Sequence, residues 1–438
     1  MVEKASLILL RVELPLIISP MKVDYLKHSI SIILILTSTL WCAPNDSNLS
    51  TVDTLITRVL ETHPKLSASR MQIKASKSGV DAAKWGYYPT PSLDLGGGKN
   101  SSTLARLEQP LWAGGRIDAT YDISLSKQHE SEVALDENAY TLIDSLLQTL
   151  QNLTQARGRV RAITEGQKQL DDFNAMLNRR IEAGVSSLAD EELIKARLAQ
   201  INTDLTIAKI AERTACSQLR LITSQSDLSC TLDADRIPSP DTQRTSEEMI
   251  AQMLKTHPSM LKSTIQIQTA EYEKNKAKAV LWPTIALRAE YQKGSVYTTY
   301  ANENTIVYLS AQMTPGAGLS SLSGIEASEA TIQQLKFNKL TLEQDLTQSL
   351  LRDIDDHRSA LDRVQGTTLS IDASQKVLES YARLFLAGKR QWLDLVNSSR
   401  EVTQNRISLE DLLATATIST YRLKLKTGEL IAPIGKPQ

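Results

Sequence analysis

The sequence repeats one pattern twice, and this duplication constrains the fold more than any other feature. The tripeptide Thr-His-Pro at residues 62–64 returns at residues 256–258, an offset of 194 residues. Farther along, Ala-Gly at residues 183–184 returns at residues 387–388, an offset of 204 residues. A tandem repeat predicts two copies of one supersecondary plan rather than a single globular core.

The repeat divides the chain into four parts. We assign residues 1–43 to a signal peptide with an upstream extension, 44–236 to the first repeat, 237–430 to the second repeat, and 431–438 to a C-terminal tail. Residues 227–244, which contain Pro238 and Pro240, are the predicted linker between the repeats.

The beginning of the chain has the pattern of an export signal. Lys22 and Lys27 precede an apolar run over residues 29–40, which is too short to span a bilayer comfortably and fits the apolar part of a secretory signal. Cleavage near Cys42, lipidation of Cys42 and an uncleaved anchor all remain open. In each case the rest of the chain is exported across an inner membrane.

Each repeat is predicted to contain a helix, two strands, a very long helix and a final helix. The predicted helices span residues 64–85, 117–183, 188–222, 258–281, 324–387 and 391–426. Apolar residues recur at alternating steps of three and four in both long helices, for example from Leu146 to Ile181 and from Leu346 to Phe385. A period near 3.5 predicts supercoiled helices that pack along a narrow seam. An aromatic content of 5% agrees with such thin packing.

The four predicted strands alternate between apolar and polar residues. The polar side chains that we expect on one shared face are Asp94, Arg106, Glu108, Arg288 and Glu290. This pattern is typical of outer-membrane barrel strands, although ordinary half-buried hairpins fit it equally well. Because a membrane barrel needs at least eight strands, transmembrane strands would require an oligomer.

Other chemistry is sparsely represented. A net charge of -1 gives no electrostatic case for a nucleic-acid partner. His63 and His257 each precede a helix-starting proline, so we interpret them as helix caps rather than metal ligands. Cys216 and Cys230 would form a disulfide in the periplasm or stay as buried thiols, and the sequence leaves both open. We predict no catalytic residues, no metal and no cofactor, and therefore no enzyme.

The junctions between helices and strands carry a family resemblance. The segments AAKWGYYPTPSLDL, AKAVLWPTIALRAEY and LEQPLWAGGRID, together with the duplication, resemble the TolC-like outer-membrane efflux and secretion family over residues 49–428. The segment PGAGLSSLSGIEAS resembles members that serve type I secretion of adhesins. The resemblance implies a mainly α fold with a small transmembrane β part. It also implies a homotrimer with a long coiled-coil helical barrel and a twelve-stranded β-barrel, to which each chain gives four strands.

The resemblance also implies a function. The family forms passive outer-membrane channels of tripartite efflux or type I secretion systems, which extend into the periplasm of the Gram-negative envelope. Their partners are a periplasmic adaptor, an ABC or proton-driven inner-membrane transporter, and outer-membrane lipid. The alternative is a periplasmic coiled-coil adaptor or scaffold without a pore. Two equivalent hairpins and few strands count against this alternative.

The resemblance places a gate at the turns that follow the two long helices. The gate and tunnel-entrance positions are Asp190, Phe385, Arg390, Asp394 and Asn397, and the tip turns are Gly184 and Gly388. Asp394 and Asn397 occupy the two acidic ring positions of the family, so this ring would carry half the usual charge. The residues themselves also allow other roles. Asp190 and Asp394 suit the first turn of a helix, Phe385 suits a packed core and Arg390 suits a solvated tip.

Overall fold

The computed structural model describes residues 52–96, 102–228, 230, 244–294 and 302–430. These residues all lie in the compact unit from Asn48 to Gln438. The predicted signal with Cys42, most of the predicted linker and the predicted tail lie outside the described residues.

Within the described residues, both repeats follow the same order of elements. The first repeat contains α1 (Val52–Thr62), α2 (Pro64–Lys84), β1 (Thr90–Gly96), β2 (Ser102–Trp112), α3 (Arg116–Glu182) and α4 (Leu188–Thr223). The second contains α5 (Ser246–Thr256), α6 (Pro258–Ala279), β3 (Thr284–Gly294), β4 (Asn302–Gln312), α7 (Ser320–Leu386) and α8 (Trp392–Lys426). The predicted helices are therefore confirmed to within a few residues, whereas α1 and α5 were not predicted.

The two His-Pro sequences begin helices as expected. His63 and His257 have extended backbones, and their side chains accept hydrogen bonds from the backbone N–H groups of Lys65 and Ser259. The distances from N to Nδ1 are 3.1 and 3.2 Å. The interpretation of both histidines as helix caps is confirmed.

The long helix α3 lies between two sets of shorter helices. It packs against α2 and α4 and against α6 and α8, while α7 packs against α6 and α8. α4 touches α8 only marginally, so the two sets lie on different sides of α3. At 1.5 Å per residue, α3 and α7 are each about 100 Å long. The helices thus form an open layer with α2 and α4 at one edge and α7 at the other.

The repeats meet closely along α3 and α8. A Cβ atom on Gly158 would lie 2.5 Å from the Cβ of Glu410, and one on Gly166 would lie 2.4 Å from the Oγ1 of Thr403. Glycine is therefore needed for the two backbones to approach this closely. Beside this contact, Arg159 donates two hydrogen bonds of 2.9 Å to the Asp411 carboxylate.

The strands form one antiparallel sheet in the order β1-β2-β3-β4. Its central pair, β2 and β3, joins the two repeats. Arg106 lies opposite Glu290 and Glu108 lies opposite Arg288 in this pairing. Because the side chains of directly opposed residues point to the same face, the register places these four charges on one side of the sheet.

A disulfide fastens the end of the first repeat. Cys216 in α4 is bonded to Cys230, a pairing that the sequence left open. Both cysteines belong to a packed cluster with α1, α3 and the C-terminal part of α8. No helix in the described part of the chain combines the length and the apolar character that a membrane span requires.

Candidate functional site

The first tip turn, between α3 and α4, uses its acidic residue to cap a helix. Gly184 has a positive φ of 73°, which ends α3, and Ser187 begins α4 as its N-cap. The Asp190 backbone N–H donates to the Ser187 hydroxyl at 3.3 Å, and the Ser187 N–H donates to the Asp190 carboxylate at 3.4 Å. Asp190 is thus half of a reciprocal capping box.

The second tip turn, between α7 and α8, uses the equivalent residue differently. Gly388 again has a positive φ, of 70°, but Gln391 makes no side-chain capping bond. The Asp394 carboxylate instead accepts a hydrogen bond from Arg390 at 3.2 Å. The guanidinium of Arg390 also lies over the ring of Tyr381, 4.4 Å from its centre.

Asp394 and Asn397 face one open groove between α7 and α8. The groove has a volume of about 640 Å³, and its lining also includes Tyr381, Arg400 and Glu401. The structure therefore brings together the two predicted ring positions. Asp190 lies on the other hairpin, and its hydrogen-bond partner there is Ser187 rather than Arg390.

Phe385 lies in an aromatic cluster at the second tip. Its side chain is 5% exposed and contacts Trp392, which is 2% exposed; their ring centres are 5.1 Å apart. Phe173 from α3 joins the same cluster. The packing role that the heptad stripe indicated for Phe385 therefore agrees with its burial.

Arg180 connects the two tips, a contact that no sequence pattern predicts. Its guanidinium lies over the Phe385 ring, 4.7 Å from the centre, and donates to the Leu386 carbonyl oxygen at 3.2 Å. It also donates to the Ser186 hydroxyl in its own turn at 3.2 Å. Tyr381 and Trp392 were likewise not predicted. Of the three, Trp392 had a readable signal, since it replaces the repeat equivalent Leu188.

The sheet has one polar face and one apolar face. Arg106 Nε lies 2.6 Å from Glu290 Oε1, and Arg288 Nε lies 2.9 Å from Glu108 Oε2. Tyr308 donates a further hydrogen bond to Glu290 at 3.0 Å. The pairing of β1 with β2 places Asp94 opposite Leu104, on the same face as these ion pairs.

The opposite face of the sheet carries large apolar side chains that are exposed. Its exposed members are Leu93, Leu95, Leu107, Leu287, Val307 and Leu309. Every strand therefore contributes to this apolar face, and all five polar positions predicted to share the other face do so.

Exposed aromatic residues gather where the helices meet the strands. Trp85 and Trp282 are 69% and 58% exposed at the ends of α2 and α6, and Trp112 is 44% exposed at the end of β2. The rings of Trp112 and Trp282 pack edge to face with centres 6.0 Å apart. Amphipathic rings at such a boundary are typical of a membrane–water interface.

The titratable groups of the helical part show no catalytic arrangement. His257 is buried against Tyr140, and this burial lowers the pKa of His257 to about 4, so its ring is neutral at physiological pH. The described residues contain no cluster of His, Cys, Asp or Glu suited to a metal ion. What the arrangement offers is a polar and an apolar surface on one sheet and a charged pair at one tip.

Comparisons with known proteins agree with this geometry. Residues 55–224 match the profile of the family described as outer membrane efflux protein. A search of curated protein sequences gave no match.

Several solved structures share the fold at low sequence identity. The outer membrane channel CmeC of Campylobacter jejuni is 12% identical with a TM-score of 0.73, over 94% of this chain and 95% of that one. VceC of Vibrio cholerae is 13% identical with a TM-score of 0.72, over 86% of this chain and 95% of that one. The open state of MtrE of Neisseria gonorrhoeae is 15% identical with a TM-score of 0.71, over 86% and 89%.

The shared fold confirms the predicted fold class, and the profile match agrees with the predicted family and outer-membrane location. They do not bear on the type I secretion branch, on the gate residues or on the domain boundaries. Residues 55–224 are thus similar to the outer membrane efflux protein family, and the chain as a whole has the fold of the TolC-like outer-membrane channels.

Proposed function

We propose that the protein is a passive homotrimeric conduit that leads from the periplasm to the exterior. It serves a tripartite efflux or type I secretion system, and partner proteins open it at its helical tips. The family profile, whose description names efflux, and the shared fold support the efflux channel. The trimer, the partners and the gate rest on the arguments below.

The observation that carries the proposal is that the chain forms an open layer with two different edges. Within the described residues, β1 and β4 each have one strand neighbour. An open strand edge in lipid would leave backbone groups without hydrogen bonds, so β1 must pair with β4 of another copy. A contact between two different edges of identical chains produces a ring when it closes.

The helical edges carry matching apolar surfaces. On α7, five of the seven large exposed apolar side chains fall within about 60° of the helix circumference at 100° per residue. They are Leu322, Phe337, Leu340, Leu351 and Leu369. On the opposite edge, α4 exposes Ile207, Ile210 and Leu221, which also share one side. Two exposed stripes of this length mark a protein contact.

The sheet indicates where the membrane lies. Its apolar face would contact lipid, its ion-paired face would line the water-filled lumen, and the exposed tryptophans would mark the periplasmic interface. The helices then extend into the periplasm, where the tips meet the adaptor. In this arrangement Asp394 and Asn397 lie at the tunnel entrance, and Arg390, Asp190 and Phe385 belong to the closing network.

Removing the apolar stripe of α7 tests the trimer. We expect the double variant Leu340→Glu and Leu369→Glu to run as a monomer after detergent extraction and chemical crosslinking, while the wild-type protein gives trimers. Arg352 is exposed on α7 but lies about a third of a turn from the stripe. The control variant Arg352→Glu should therefore remain trimeric.

Two results would contradict the proposal. A wild-type protein that is recovered as a monomer in the soluble fraction would support the adaptor or scaffold alternative. Trimers that persist in the double variant would show that the α7 edge is not the contact surface.

A further inference from the structure

We propose that Arg390 is a built-in counter-charge that cancels the charge of Asp394, so that the tunnel entrance admits anionic solutes. The proposal rests on the proposed function, because it concerns the selectivity of the same conduit. It assigns Arg390 a role in permeation in addition to its place in the proposed closing network.

Arg390 and Asp394 form a close ion pair. The Arg390 Nη1 atom lies 3.2 Å from the Asp394 Oδ2 atom, and the two residues are one helical turn apart. At physiological ionic strength the Debye length is about 8 Å. Because the two opposite charges lie much closer together than this length, an approaching ion meets a pair without net charge rather than a free carboxylate.

Arg390 is held in place by the ring of Tyr381. Its guanidinium packs on the face of Tyr381 at 4.4 Å, a cation–π contact that fixes an otherwise mobile side chain. An exposed ion pair alone contributes little because its two long side chains must be ordered. The aromatic support from the facing helix removes part of this cost.

The first repeat has no equivalent of Arg390 and Tyr381. At the 204-residue offset, Ser186 and Leu177 stand where the second repeat has Arg390 and Tyr381. Both the cation and its aromatic support are therefore specific to the second tip. Together with the missing cap at Gln391, they convert a helix-capping acid into a charge-paired acid.

The surroundings do not restore a negative entrance. Arg400 and Glu401 lie in the same groove as Asp394 and offset one another, and Asn397 carries no charge. Lys389 in the turn adds a further positive charge. The second tip thus presents at least as many cations as carboxylates, which favours anionic or neutral solutes.

The ion selectivity of single channels tests this assignment. Reversal potentials of the trimer would be measured in planar bilayers across a KCl gradient, with Mg²⁺ added to the periplasmic side. We expect Arg390→Gln to raise the cation-to-anion permeability ratio several-fold and to introduce a block by Mg²⁺. Asp394→Asn should shift the ratio toward anions, and the double variant should return close to the wild-type value.

Two further variants separate charge from structure. Arg390→Lys keeps the charge and should keep the wild-type selectivity. Arg179→Gln removes an exposed cation from the first tip and should leave the reversal potential unchanged. The assignment is overturned if Arg390→Gln shifts the reversal potential no more than Arg179→Gln does. A wild-type protein without any conductance would contradict the proposed conduit instead.

Discussion

The two tips show how a duplicated unit can divide its duties. Asp190 and Asp394 occupy equivalent positions three residues into their helices, yet Asp190 caps α4 whereas Asp394 pairs with Arg390. The difference follows from one neighbour, since Ser187 can cap a helix and its equivalent Gln391 does not. One copy therefore retains the cap, while the other leaves its carboxylate free to pair with Arg390.

The two His-Pro kinks diverge in a second way. His63 and His257 make the same capping bond, but His257 is 5% exposed and packs on Tyr140, whereas His63 is only half-buried. Burial is the main cause of the lowered pKa of both groups, and the effect is large only for His257. The two histidines have equivalent capping geometry, and we therefore expect them to contribute differently to stability at acidic pH because only His257 is deeply buried.

The largest expected effect is a difference between the first residues of the two tip helices, α4 and α8. Trp392 is buried in the aromatic cluster, whereas its equivalent Leu188 is 69% exposed. We expect Trp392→Ala to lower the free energy of unfolding by about 3–5 kcal/mol, because it leaves a cavity. Leu188→Ala should change it by less than about 0.5 kcal/mol. Denaturant titrations of both variants in detergent would measure this, and equal losses would show that the tips pack alike.

The second prediction concerns the stability of the protein at acidic pH. The unfolded chain protonates His257 near its ordinary pKa of 6.5, whereas the folded chain does so only near pH 4. Its stabilising contribution is therefore complete above pH 6.5 and is lost as the pH falls to 4. The loss amounts to about 3 kcal/mol.

The replacement of each histidine by asparagine isolates this effect, because asparagine keeps a capping acceptor but does not titrate. His257→Asn should lose this part of the pH dependence between pH 6.5 and 4, measured as the free energy of unfolding. His63→Asn should keep the wild-type slope. A wild-type slope in His257→Asn would rule out His257 as the acid-sensitive group.

The smallest expected effect tests the difference between the N-caps of α4 and α8. Ser187→Ala removes the capping box and should cost about 1 kcal/mol, measured by thermal unfolding. Gln391→Ser would create the same Ser-x-x-Asp sequence at the second tip and should add stability of similar size. The new cap would also draw Asp394 away from Arg390. If neither variant changed the unfolding temperature, the difference between the tips would not lie in their caps.

Much of the fold was readable because the repeat offered each signal twice. Pro64 and Pro258 mark the starts of α2 and α6, and Gly184 and Gly388 mark the ends of α3 and α7. The His-Pro sequences predict only the helices that follow them and not α1 and α5, which precede them. The capping box of Thr245 and Glu248 was nevertheless present in the sequence before α5.

The site was less predictable because its contacts cross between distant elements. The alternation of the strands was enough to place Arg106, Glu108, Arg288 and Glu290 on one face, but not to show which of them pair. The contact of Arg180 with Phe385 joins α3 to α7 across some 200 residues, and no local pattern encodes it. Local periodicity fixes which face a residue occupies, whereas its partner depends on how the helices pack.

The pairing of β2 with β3 has a consequence for how the protein assembles. Arg106 and Glu290, which face each other at the centre of the sheet, are 184 residues apart in the chain. Contacts of such separation form late, because a long segment must first lose conformational freedom. Each hairpin is local and can form on its own, but the two hairpins can join only when the helices of both repeats align. In the proposed conduit, the surface that enters the membrane is thus complete only after the helical part of the chain has taken shape.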